Sequence, residues 1–146
     1  MAKVYKITIK FSPNTAMYQM GNEIERRMEK VAMLIESTAV KKISRGQPVR
    51  RTASGRLVGL DPSKPGEPPK VVTARLKQSV THVVNREEFK ITAQIGTNVE
   101  YSRRLELGFV GSDSRGRVIS MAARPWLRPS FADNLGRIKS IFEKKI

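Results

Sequence analysis

The chain has no cysteine, a single histidine and a single tryptophan, and aromatic residues make up only 6% of its 146 positions. Without cysteine there is no disulfide, no thiolate nucleophile and no cysteine-based zinc site. The lone histidine, His82, has no second histidine with which to hold a metal. Any Ser-His-Asp arrangement would have to use it, yet no Gly-x-Ser-x-Gly elbow exists to present a serine. A Gly-x-x-x-x-Gly-Lys phosphate loop and a Gly-x-Gly-x-x-Gly turn after a strand are missing too. His82 therefore reads as an ordinary strand residue facing opposite Val83, and the Glu87-Glu88 pair as a solvated turn. No apolar run approaches twenty residues, so no membrane span is expected. Met1-Ala2-Lys3-Val4-Tyr5 enters a strand pattern directly, without the profile of a signal peptide. These absences predict a protein that is not an enzyme and takes no cofactor and no metal.

Positive charge is abundant. Twenty-eight Lys and Arg against thirteen Asp and Glu leave a formal +15. A surplus of that size favours polyanions, nucleic acid first among them, or acidic protein partners. It carries no information about base sequence, and no helix-turn-helix, RNA-binding sheet signature or zinc finger accompanies it.

The stretch Asn14 to Ser44 organises the rest. Met17, Met20, Ile24, Met28, Val31, Ile35 and Ala39 recur at three- and four-residue steps and form one apolar stripe, widened by Ala32, Leu34 and Ile43. Glu23, Glu25, Arg26, Arg27, Glu29 and Lys30 fall mostly off that stripe and can face water. Ser12 suits an N-cap, Pro13 the first helical position, and Gly46 with Pro48 a stop. Gly21 is the weak point, costing about 1 kcal/mol relative to Ala. The helix would run roughly 45 Å. Two placements stay open: a core helix lying across a sheet, or one whose end projects onto a neighbouring subunit.

Around it, Val4 to Phe11 alternates as a half-buried strand with Tyr5, Ile7, Ile9 and Phe11 on one face. Residues 45–72 carry Gly46, Pro48, Gly55, Gly59, Pro62, Pro65, Gly66, Pro68 and Pro69 and few apolar anchors. They read as a long arm ordered by a partner, with a small hairpin about Ala53-Ser54-Gly55. Val72 to Val80 predicts short helical turns capped by Thr73. Thr81–Val84 and Phe89–Ile95 predict a hairpin around Asn85-Arg86-Glu87-Glu88, with Phe89, Ile91, Ala93 and Ile95 inward. Thr97 and Glu100 have the spacing of a capping box for a helix from Asn98 to Leu107, closed by Gly108. Phe109 to Arg117 reads as a mobile loop, Val118–Met121 as a short strand and Ala122–Pro129 as extended. A last helix follows from Ser130 to Glu143. The sum is one α+β domain over residues 1–146, a small, mainly antiparallel sheet with one long helix packed on it, plus short helices and the Pro/Gly-rich arm.

Three stretches, in this order and spacing, resemble the neck and tail-component family of long-tailed bacteriophages. They are Pro65-Gly66-Glu67-Pro68-Pro69 with Thr73-Ala74-Arg75-Leu76-Lys77-Gln78-Ser79; Ile95-Gly96-Thr97-Asn98-Val99-Glu100-Tyr101 with Leu105-Glu106-Leu107-Gly108; and Met121-Ala122-Ala123-Arg124-Pro125-Trp126-Leu127-Arg128-Pro129-Ser130-Phe131. The resemblance covers roughly residues 60 to 146, and that family also places a helix near its start. Ala74 stands where the family often has glycine, which argues against a left-handed backbone there, and Trp126 where phenylalanine is commoner. The resemblance implies a structural virion protein that forms a homo-oligomeric ring, six-fold in preference to twelve-fold. The ring would complete or terminate the tail and join it to the head connector, with neighbouring neck and tail-tube proteins as partners and DNA passing through.

Under that reading Arg124, Pro125, Trp126, Leu127, Arg128, Pro129 and Phe131, together with Pro65, Gly66 and Pro68, are the candidate subunit contacts. In an extended stretch Trp126 and Leu127 point opposite ways, one into the subunit and one toward a partner; the other arrangement packs both under the final helix. Arg45, Arg50, Arg51, Arg56 and Lys64 are the candidate DNA-facing residues. Two other readings compete: a stand-alone basic protein binding nucleic acid without sequence preference, and a chaperone that assembles tails and then leaves.

Overall fold

The computed structural model describes residues 5–10, 15–43, 50–58, 63–70, 74–88 and 90–143. The expected caps Ser12 and Thr73, the stop at Gly46 and Pro48, the inward Phe89 and the candidate Arg45 lie outside these residues.

The first strand, β1, spans Tyr5–Lys10, and the long helix, α1, spans Thr15–Ile43. A short hairpin of β2 (Arg50–Arg51) and β3 (Leu57–Val58) follows, then helix α2 (Arg75–Ser79). Strands β4 (Thr81–Glu87) and β5 (Lys90–Gly96) come next, then helix α3 (Ser102–Leu107). A third hairpin, β6 (Phe109–Ser112) with β7 (Val118–Met121), precedes helices α4 (Leu127–Ala132) and α5 (Leu135–Glu143). The fold is α+β. Its main sheet has the order β1-β5-β4, antiparallel throughout, and the other two hairpins stand apart from it.

The period of α1 explains where the core sits. Met28, Val31, Ala32, Ile35 and Ala39 are wholly buried against Ile91, Ala93 and Ile95 of β5, the central strand. Met20 and Ile24, nearer the helix start, are only half-buried. The helix therefore lies across the sheet, as one of its two expected placements requires, and α2, α4 and α5 also pack on it. Gly21 lies beside the Arg86 guanidinium, which is held by Asn22 Oδ1 at 2.6 Å and Glu25 Oε2 at 3.1 Å; a Cβ there would have to push that side-chain tip aside.

Several expectations are corrected. Arg27 does not face water. It is 6% exposed, with Nε on Glu23 Oε1 (2.9 Å) and Nη1 donating to the Phe142 carbonyl (3.1 Å), so it ties α1 to the end of α5. The β4 strand continues through Glu87, because Asn85 and Arg86 pair with Thr92 and Ile91; the turn is shorter than expected. Thr97 caps no helix. Its hydroxyl accepts the Val99 N–H two residues on and meets Ser79, and α3 begins only at Ser102, with Tyr101 at the N-cap position. Of residues 109–117, Phe109–Ser112 form strand β6 and only 113–117 connect; there Asp113 Oδ1 accepts the N–H groups of Arg115 and Arg117, making the turn that lets β6 pair with β7. The extended stretch ends at Trp126, since α4 starts at Leu127; Pro129 is tolerated in its first turn, where an N–H would lack a helical partner. The last helix is broken at Asp133-Asn134, where Asn134 turns inward onto Thr38 Oγ1 and the Ser130 carbonyl. Ala74, at the N-cap of α2, has right-handed helical geometry (φ −68°), in line with the departure from glycine there.

Candidate interaction surface

The three stretches that carry the family resemblance meet at one joint. The Gly66 N–H donates to the Ala123 carbonyl (2.9 Å), the Arg124 N–H to the Leu105 carbonyl (2.6 Å), and the Arg124 Nε to the Ser63 carbonyl (3.0 Å). The Ser79 and Thr97 hydroxyls share a hydrogen bond. At the centre is Glu106. One of its oxygens accepts the N–H groups of Trp126 (2.8 Å) and Leu127 (3.0 Å), the other that of Arg128 (2.8 Å). Pro129 has no N–H, so this one carboxylate serves every otherwise unpaired donor in the first turn of α4. Its negative charge also suits a helix N-terminus.

This joint settles the two arrangements of Trp126 and Leu127. Both are 2% exposed and belong to the core cluster, so neither reaches outward. The expectation that they point opposite ways fails because α4 starts at Leu127 and winds both side chains inward. Phe131 is half-buried against the same core, and Pro125 and Pro129 are half-buried. Arg128 is exposed, while Arg124 is half-buried and turned onto residue 63.

The arm is two different things. Residues 63–70 lie along 122–124 of their own chain, with Ser63 and Pro69 buried. Lys64, Pro65, Gly66 and Glu67 form an exposed turn there, and Pro68 is half-buried. In the β2–β3 hairpin, Arg50 and Arg51 pair with Val58 and Leu57 through the backbone, and Arg56 is exposed in the connecting turn.

The β6–β7 hairpin adds a surface that the sequence reading missed. Val110 and Val118 are 78% and 82% exposed and lie diagonally across one face of the ladder, between Ser112 and Ser120. The Arg104 guanidinium stacks over the Phe109 ring at 4.3 Å from its centre, with Arg103, Arg115 and Arg117 exposed nearby in sequence. Phe109 and Arg104 lie on the other face of the ladder from the two valines, so one face carries exposed apolar side chains and the other a stacked cation.

A second feature the sequence did not reveal is the setting of His82. The ring sits between two carboxylates of α1, Nε2 on Glu29 (2.8 Å) and Nδ1 on Glu36. Partial burial disfavours the charged ring, but hydrogen bonds and charge from Glu29 and Glu36 outweigh it and hold its pKa above the usual histidine value. The one signal available beforehand was that Glu29 and Glu36, seven residues apart, share a helical face.

Comparison with models of known protein families, with curated proteins and with solved structures finds no match. Among the described residues, no helix is long and apolar enough to cross a membrane.

Proposed function

We propose that this chain is a structural, non-catalytic subunit of a phage virion neck. Copies would form a ring, six-fold in preference to twelve-fold, that completes the tail and joins it to the head connector. The observation that carries the reading is the convergence of all three resemblance-bearing stretches on the Glu106 joint. That joint fixes residues 63–70 and α4 to one frame and leaves other segments unused by the subunit core. One is the β6–β7 hairpin, with Val110 and Val118 in water, and the side chains of the Lys64–Glu67 turn are exposed as well. Exposed apolar side chains are what a repeated subunit contact uses. The +15 charge suits a subunit beside a DNA path, contacted through the backbone phosphates without base reading; Arg56 and Lys64 are the exposed candidates. Trp126 and Leu127 act under this reading by holding the joint rigid from beneath.

The experiment is assembly of the purified protein, measured by mass photometry beside a Val110→Asp, Val118→Asp variant. Both positions are exposed, so the melting temperature should hold. Ring formation should weaken by about 2 kcal/mol or more per contact if the two valines are an interface anchor. Unchanged assembly would remove the hairpin from the interface. A protein that stays monomeric and binds DNA would favour the stand-alone nucleic-acid reading.

A further inference from the structure

A groove of about 630 Å³ runs between α1 and α5, lined by Lys30, Leu34, Gly136, Arg137, Ser140 and Ile141. It is pinned at both ends. Arg27 Nη1 donates to the Phe142 carbonyl at one end, and Asn134 Nδ2 to Thr38 Oγ1 at the other. The two helices thus run antiparallel. The two pins lie roughly 16 Å apart along α1, and between them the groove is lined from Lys30 to Leu34 on α1 and from Gly136 to Ile141 on α5. A shape fixed by its own side chains needs little reorganisation to bind.

Gly136 bears on what the groove is for. It lies in the first turn of α5, where glycine is a poor helix former. Its backbone does not need glycine, because its φ is not positive. Its neighbours do not need it either, since a Cβ there would meet nothing within 4 Å. The missing side chain leaves room for something outside the subunit.

We infer that this groove docks an acidic amphipathic helix of a partner protein. The walls are helices, paired internally apart from the first-turn N–H groups of α5, so the groove offers no continuous ladder to an extended peptide and is read mainly through side chains. Leu34 and Ile141 are half-buried and supply the apolar floor. Lys30 and Arg137 stand at the groove, both exposed. Its one acid, Asp133, is held by Lys42 at 2.6 Å, so the groove presents positive charge around an apolar floor. The occupant is not a second copy through α1, because the Glu-bearing part of α1 is itself packed on the sheet and on Arg86 and His82. This inference does not depend on the ring.

The probe is a fluorescein-labelled peptide of about 18 residues with leucines at i, i+3, i+4 and i+7 and glutamates beside them. A second peptide has lysines in place of the glutamates. Amide shifts in the ¹⁵N-labelled full chain should move at Leu34, Gly136, Arg137, Ser140 and Ile141. The acidic peptide should bind about tenfold or more tighter than the basic one at physiological salt. Gly136→Phe should keep the fold, since its side chain enters open space, yet abolish binding. Lys30→Glu with Arg137→Glu should invert the preference between the peptides. Absence of binding, shifts spread over the whole basic surface, or indifference to Gly136→Phe and the charge swap would each overturn the inference.

Discussion

Trp126 is the largest wholly enclosed side chain, and among the described residues its indole N–H has no partner. Two predictions follow from different parts of that side chain. Trp126→Ala should destabilise the fold by about 3–5 kcal/mol, through lost burial and the cavity left behind. Trp126→Phe should cost clearly less, because it also removes a buried donor that gains nothing; chemical denaturation of both variants checks the order. His82 supplies a pH dependence. Its folded pKa lies above the ordinary value of 6.5. The stabilisation by Glu29 and Glu36 is therefore fully present below the unfolded pKa and is lost as pH rises through the folded one. Wild type should lose stability on titration upward from about pH 6.5, and His82→Gln should lack that loss. A wild type that gains stability over the same window would contradict the clamp. Composition singled out both residues but not their settings: the partners of His82 lie some fifty positions away, and nothing local places Trp126 under α1 and not at the surface.

Among the elements, α4 depends on a contact distant in sequence. Glu106→Ala leaves the N–H groups of Trp126, Leu127 and Arg128 without their acceptor and should cost about 2–3 kcal/mol. Glu106→Gln retains one carbonyl for two of the three donors but turns an NH₂ group toward the third, so it should fall between Ala and wild type in a thermal melt. Elements with a strong period were legible: α1 from its three-and-four spacing, β1 and β5 from alternation, the end of α3 from Gly108. Those set by local side-chain chemistry or distant partners were not. The β6–β7 ladder is four residues long with a glycine inside it, too short to show a period, and depends on the Asp113 side chain for its turn. The late start of α3 reflects Thr97 engaging Val99 and Ser79. The break before α5 reflects Asn134 bonding to Thr38 across the core, a partner that no window of sequence contains. Of the candidate contacts, the Pro65–Gly66 turn and Arg128 are exposed, whereas Trp126 and Leu127 became core once α4 wound them inward.

For the whole molecule, the charge should appear as weak DNA binding without sequence preference. If about six phosphates are neutralised, affinity should fall about a thousandfold between ~50 and ~200 mM salt. A salt-insensitive complex selective for one sequence would contradict phosphate-led contact. The larger claim is that the subunit belongs to a ring in a particle. Quantitative mass spectrometry of purified tailed particles, taken from cells that make this protein at its natural level, tests that most directly. The chain should co-purify with intact particles at six copies each, or at twelve in the less favoured symmetry. Particles that carry the head and tail-tube proteins but none of this chain would contradict it.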